Sequence, residues 1–259
     1  MSGTEALRKI PQDRPRGRSE EMAEFTVRVA RSRSELLAAY QLVYRRYLDK
    51  GYVRACPSGV VYQPSFGLST SRTLVAVTGN TRILGTITLV GDNAAGLQLE
   101  EIYYSEVEAI REEGRSFAEV TCLCIDEERD IPGPAVFTEL TKFAIHHSYL
   151  KGYDDLLLAV HPRHYRIYWH TFRAYPIGPC RQYPSAGDYP ALCCRIDLHD
   201  LDVNMARKVR QKYFEEVKPL EHYDGPQVSQ AEHEEFCRML AISPDISDNE
   251  RLGFQRRAA

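Results

Sequence analysis

The stretch Ser116–Ile125 constrains this chain more than any other part of it. Ser-Phe-Ala-Glu-Val-Thr-Cys-Leu-Cys-Ile is apolar almost without interruption, the pattern of a strand covered on both faces. A helical segment, Ala135–Leu150, follows and stops at Gly152, and a second apolar run, Asp155–Val160, comes after it. Strands of this kind need helices packed on their sheet, so the chain reads as one α/β or α+β domain around a mixed sheet.

The flanking segments agree. Phe25, Val27 and Val29 alternate as in a strand, and Ser32 opens a helix with a capping-box partner at Glu35. Leu36, Leu37, Tyr40, Val43, Tyr44 and Tyr47 form its apolar stripe, which ends near Gly51. Residues 52–71 carry Pro57, Gly59, Pro64 and Gly67 and read as a long exposed connection. Strands are predicted at Thr73–Val77 and Ile83–Val90 around a Gly79-Asn80 turn, with a short helix at Ser105–Glu113. After Val160, His161-Pro162 introduces a helix at Arg163–Phe172, and β runs follow at Tyr175–Gln182 and Tyr189–Leu198. Leu201, Met205, Val209 and Tyr213, spaced by four, predict an amphipathic helix, and Ala231–Leu240 a further one.

Composition removes several classes. With 33 basic and 36 acidic residues in 259, the net charge is −3, which argues against a nucleic-acid partner. No apolar run approaches the roughly 20 residues of a membrane span. Residues 1–23 are polar, with Arg8, Lys9, Arg14, Arg16 and Arg18 but no apolar core for a secretory signal, and are expected to be disordered. Seven cysteines without repeated C-x-x-C spacing read as reduced thiols in a cytoplasmic protein rather than a disulfide framework. The 16 tyrosines are many, but a count alone decides nothing.

Glu119 is the residue most open to a chemical reading. It is a lone carboxyl in an apolar strand, where lost solvation raises its pKa toward that of a general base. A glutamate at a strand edge, solvated or paired with an arginine, is the alternative. Glu100 and Glu101 can bind or deprotonate an amine, or stand as a solvated loop pair. His161 can act as a base, and Arg163 with free helix N–H groups can hold a carboxylate or phosphate. The His161/His164 spacing lacks acidic or cysteine companions, so no metal is expected. From Leu156 to Gly187 there is no Asp or Glu, yet Arg163, Arg166, Arg173 and Arg181 all occur. That segment is either an electropositive docking face or the solvated side of an amphipathic helix, with RNA binding a weaker third reading. G-x-G-x-x-G, P-loop, G-x-S-x-G and HExxH motifs are all absent.

The ordered motifs resemble a known family. Tyr44-Arg-Arg-Tyr-Leu-Asp-Lys-Gly-Tyr52, Leu97-Gln-Leu-Glu-Glu-Ile-Tyr103, Gly114-Arg-Ser-Phe-Ala-Glu-Val-Thr-Cys-Leu-Cys-Ile-Asp126 and His161-Pro-Arg-His-Tyr-Arg-Ile-Tyr168, followed by Pro176-Ile-Gly178, are similar to segments of the N-acyl amino acid synthases. In particular they resemble the long-chain N-acyltyrosine synthases, relatives of the acyl-homoserine-lactone autoinducer synthases within the GNAT-like acyltransferase superfamily. The resemblance implies an α+β, three-layer GNAT-like domain over residues 24–198, with a C-terminal helical extension at 199–259. It implies transfer of a long fatty acyl group from an acyl-carrier-protein thioester to the α-amine of an amino acid, tyrosine by family. Phosphopantetheine would then arrive on the carrier, with no cofactor held by the chain itself. The alternatives are an acyl-CoA-dependent enzyme acting on a small amine and a non-catalytic carrier-binding module.

In this frame Glu119 is the expected base and Glu101 the second candidate. Glu100, Tyr103, Thr121, His161 and Arg163 are expected to bind substrate. Arg163, Arg166, Arg173 and Arg181 are expected to dock an acidic carrier. Two departures stand out. Where the autoinducer synthases carry Glu-x-Ser-Arg, this chain has Glu119-Val-Thr-Cys122, so the arginine is lost. Where acetyl-CoA enzymes have a glycine-rich pyrophosphate turn, it has Glu127-Glu-Arg-Asp-Ile-Pro-Gly-Pro134, poor in free N–H donors.

Overall fold

A computed structural model describes residues 24–79, 82–126, 131–215 and 217–242. The segment 1–23, expected to be disordered, lies outside the described residues, as do residues 127–130 of the turn after the central strand.

Eight strands form the sheet: β1 (Phe25–Val29), β2 (Ser71–Thr78), β3 (Ile83–Gly91), β4 (Phe117–Ile125), β5 (Asp155–Val160), β6 (Tyr175–Pro176), β7 (Arg181–Tyr183) and β8 (Tyr189–Asp197). The order is β1-β2-β3-β4-β5-β8-β6, with β7 paired to β8. All neighbours are antiparallel except β4 and β5, so the sheet is mixed. The crossover between those two parallel strands is α3 (Gly133–Lys151), ended by Gly152 in the left-handed conformation.

Helices α1 (Arg33–Asp49) and α2 (Glu100–Glu112) cover one face of the sheet and α3 the other. Two hydrophobic clusters fill the gaps. Leu36, Tyr40, Val43 and Phe117 belong to the first, and Ala118, Leu140, Phe143 and Leu156 to the second. Phe117 and Ala118 are neighbours on β4 that point into opposite cores, which is why that strand has almost no polar residue. The result is the expected three-layer α+β architecture around a mixed sheet. Among the described residues, no helix is long and apolar enough to cross a membrane.

Four sequence expectations need correction. The segment 52–71 is not merely an exposed connection, because Val60, Tyr62 and Phe66 are buried. They are covered by α7 (Gln230–Leu240), whose Phe236 ring lies 4.9 Å from Tyr62 and whose His233 Nδ1 is 2.7 Å from the Tyr62 hydroxyl. Helix α2 begins five residues before Ser105, with a break at Tyr103 (φ −129°, ψ 32°) that masks its first turn in the sequence. Residues 163–172 divide into a 3₁₀ turn, Pro162–His164, and α4 (Tyr165–Phe172). The helix expected through Leu201 and Tyr213 divides at Met205, whose backbone is extended, into α5 (Leu201–Asn204) and α6 (Arg207–Phe214). Leu201, Met205 and Tyr213 still reach the core on the α3 side.

Candidate active site

Strands β4 and β5 pair at three positions only: Phe117↔Asp155, Ala118↔Leu156 and Glu119↔Leu157. Beyond Glu119, β5 keeps its ladder to β8 as far as Val160, and β4 keeps its ladder to β3 as far as Ile125. The two strands therefore part like the arms of a V. On the open side, the backbone groups of β4 after Glu119 have no ladder partner.

A bulge accompanies the parting. Between Thr88↔Thr121 and Thr86↔Cys124, β4 carries one residue more than β3, and Cys122 takes a φ of 54°. That conformation costs a residue with a Cβ on the order of 1–3 kcal/mol. After it the alternation is inverted, so that Cys122 and Cys124 join the core that Phe117 joined from an odd position. The Tyr47 hydroxyl hydrogen-bonds with the Cys122 thiol. Burial pushes that thiol up to about 12, so it stays protonated and is no nucleophile.

A cavity of about 220 Å³ occupies the V. Residues 119–123 of β4 and 158–160 of β5 form its walls. Glu119 lies at the apex and is 3% exposed. Its Oε2 accepts the Leu99 N–H at 3.4 Å, and the Gln98 N–H also donates to the carboxyl. Burial raises its pKa to about 8, and the nearby Glu100 adds to the rise. No lysine or arginine lines the cavity among the described residues. No cationic side chain of the wall therefore stands where the resemblance to the autoinducer synthases would put an arginine, at Cys122.

The other expected site residues divide. Thr121 and His161 line the cavity. The His161 Nδ1 accepts the Arg163 N–H at 3.2 Å, and desolvation first, then the neighbouring Arg163 and His164 charges, lower its pKa. Glu100 is outside the lining, with its carboxylate held by Arg111 at 2.5 Å and by the Leu97 N–H at 2.8 Å. The Tyr103 O–H is shared between the Pro179 and Ala191 carbonyls, 2.9 and 2.7 Å away. Glu101 is exposed and accepts the Ser185 N–H at 3.3 Å, outside the cavity wall.

The four arginines do not share one role either. Arg163 and Arg166 are exposed, near Ile167 (52% exposed) and Trp169 (38%). Arg173 donates to the Asn204 carbonyl at 2.8 Å. Arg181 pairs with Glu106 at 2.6 Å and lies 4.6 Å from the Tyr103 ring centroid. The acid missing from this stretch of sequence is supplied by α2.

Sequence reasoning missed most of the cavity wall. Tyr47, Tyr52, Tyr168, Tyr183 and Tyr189 all line it, together with Gln98. The tyrosine count was the available signal, and it has no positional content until the elements are assembled.

The model of the FeeM family, described as N-acyl amino acid synthase FeeM, matches residues 38–197. The chain belongs to that family. It is accordingly an acyltransferase, and its family implies an acyl donor and an amino-acid or amine acceptor. Solved structures show the same fold. The structure of FeeM, an N-acyl amino acid synthase from uncultured soil microbes, is 23% identical with a TM-score of 0.60, covering 70% of this chain and 95% of that one. The acyl-homoserine-lactone synthase LasI is 12% identical with a TM-score of 0.57, covering 76% and 98%. BjaI, a CoA-dependent acyl-homoserine-lactone synthase solved with SAM and isopentyl-CoA, is 13% identical with a TM-score of 0.51, covering 74% and 89%. No curated protein matches the chain by sequence.

Proposed function

We propose that this N-acyl amino acid synthase moves a long fatty acyl group from an acyl-carrier-protein thioester to the α-amine of an amino acid, with Glu119 as the general base. Tyrosine is the acceptor suggested by the resemblance to the N-acyltyrosine synthases. The observation that carries the reading is the unpaired, buried Glu119 carboxyl at the apex of the β4/β5 opening.

An α-amine is largely protonated at neutral pH, and only the neutral form attacks a thioester. A carboxyl with a pKa of about 8 is well matched to accept that proton, since its own affinity for it lies close to the amine's. The amine nitrogen then bonds to the thioester carbon, the C–S bond breaks, the proton held by Glu119 passes to the departing thiolate, and the freed carboxylate takes the second proton from the new amide nitrogen and releases it to solvent. Unpaired N–H groups of β4 on the open side are suited to the tetrahedral oxyanion.

The donor's pantetheine arm is assigned to the V between β4 and β5. A second cavity, mostly apolar and about 30 Å³, shares Val120, Leu123, Leu158 and Tyr168 with the first and continues toward Ile87, Phe172 and Ile196. Its position suits the start of a lipid tail. Its volume is about that of one water in the liquid, so a long tail requires these side chains to turn aside. A carrier donor is supported by Glu127-Glu-Arg-Asp-Ile-Pro-Gly-Pro134, which lacks the glycine-rich run that serves a CoA pyrophosphate. Arg163 and Arg166 are exposed cations suited to an acidic carrier.

The test supplies purified protein with a long-chain acyl carrier thioester or the matching acyl-CoA, together with single amino acids, and identifies products by mass spectrometry. An N-acyl amino acid formed faster from the carrier thioester is the expected result. Faster turnover of the CoA thioester would overturn the donor assignment, and acylation of simple amines in preference to amino acids would overturn the acceptor.

A further inference from the structure

The Tyr183 hydroxyl is a buried side-chain polar atom with no hydrogen-bond partner, the one such group among the described residues. Buried hydroxyls are ordinarily paired, because an unmet donor loses its water without compensation. Its residue lines the active-site cavity and is 6% exposed. Both Glu119 and Glu101 are close enough for their charges, added to burial, to hold the phenol protonated well above its usual range. It is therefore a standing O–H donor beside the candidate base.

The backbone fixes it there. Tyr183 ends β7 and pairs with Tyr189 across a hairpin. That hairpin is tied to α2 by the Ser185 N–H on Glu101. Gly187, at a φ of 65°, brings it so close to the end of α1 that a Cβ there would collide with the Gly51 carbonyl oxygen. A donor held on two sides loses little freedom when a ligand oxygen reaches it.

Which oxygen it serves follows from the cavity's charges and from the acceptor's connectivity. An amino-acid acceptor whose amine meets Glu119 places its α-carboxylate two bonds away, beside the same carboxyl. With no lysine or arginine in the lining, that carboxylate is left to hydroxyl, amide and imidazole donors. Among them, the Tyr183 hydroxyl is the buried one that the fold leaves without a partner. We infer that the Tyr183 hydroxyl donates to the α-carboxylate of the acceptor and thereby makes the enzyme select amino acids over simple amines. The inference rests on the acyl-transfer reading given above.

The test compares wild type with Tyr183→Phe, using saturating acyl donor, the amino acid that the wild type acylates, and the carboxamide of that amino acid. Loss of a hydrogen bond to a charged group raises the amino acid's KM about 10–100-fold. The carboxamide's KM and both kcat values stay within a few-fold of wild type. An unchanged amino-acid KM, or an equal loss with both acceptors, overturns the inference, the latter because it places the hydroxyl on the thioester oxygen. The melting temperature gives an independent reading. Tyr183→Phe leaves it unchanged or raised, whereas Tyr103→Phe, which strips two carbonyls of their donor, lowers it. An equal drop in both variants means that Tyr183 has a structural partner and overturns the inference as well. If the wild type acylates no amino acid, the proposed function itself falls. If it does and the Tyr183→Phe KM is unmoved, only this inference falls.

Discussion

Two buried carboxyls in this molecule, Glu100 and Glu119, are each 3% exposed, yet the protein treats them in opposite ways. Around Glu100 the fold gathers Arg111, and with it Asp92, whose Oδ1 is 2.6 Å from the same guanidinium. The Leu97 N–H completes the set. Around Glu119 the fold supplies backbone donors and no cation, among the described residues, and opens a cavity instead. Burial is common to the two, so burial is not what marks a functional carboxyl. The mark is a buried charge left without its partner at a place a substrate can reach, because only such a group has a proton affinity useful near neutral pH.

The largest expected effect comes from removing the unpaired member. Glu119→Gln keeps the fold and lowers kcat about 10²–10⁴-fold, roughly 3–5 kcal/mol of barrier, measured as thiol release from the acyl donor. Wild-type-like turnover in a folded Glu119→Gln protein would erase the contrast between the two carboxyls. The same variant sharpens it through pH. Folded Glu119 holds its proton up to about pH 8, whereas an unfolded chain releases it near 4.5. The folded state thus binds more protons between those values, and this group's contribution to stability falls as pH rises through the window, by up to about 4–5 kcal/mol. The wild-type kcat rises over its upper part as the base forms, so activity and stability run in opposite directions. Comparing wild type with Glu119→Gln by chemical denaturation at pH 5 and pH 8.5 isolates the term. His146 and His147, whose pKa values are lowered by burial, work the other way on both proteins alike.

Removing the partner of the other carboxyl probes the structural side. Arg111→Ala leaves Glu100 buried without its cation and costs about 3 kcal/mol of stability, read as a lower denaturation midpoint. The kcat of the protein that remains folded stays within a few-fold of wild type. A large kcat loss without destabilisation would mean that the Glu100 cluster belongs to the site after all. The smallest effect is at the surface. Charge reversal at Arg163 and Arg166, each exposed, raises the KM for a carrier-bound donor several-fold at low salt and leaves the amino-acid KM alone. An unmoved carrier KM would place docking on another face.

Much of the fold is legible in the residues. The apolar run of β4, the α3 crossover and the lone Glu119 follow from local hydropathy, and local hydropathy is what a sequence records directly. The site is legible only in part. The first turn of α2 is concealed by the break at Tyr103, and the burial of Val60, Tyr62 and Phe66 by a helix more than 160 positions away. The acid-free stretch from Leu156 to Gly187 reads as basic because sequence proximity was taken for spatial proximity. Glu106 neutralises Arg181 across 75 positions.

By itself the sequence determined that a carboxyl would be sunk in a doubly covered strand, since the hydrophobic effect acts on each residue wherever its neighbours come from. Only the tertiary structure decided that Glu100 would meet an arginine and Glu119 would not. The same assembly brought Tyr183 to Glu119 with its hydroxyl free. Pairing falls off within a few ångströms, and those distances are set by strand register, a bulge at Cys122 and the parting of β4 from β5.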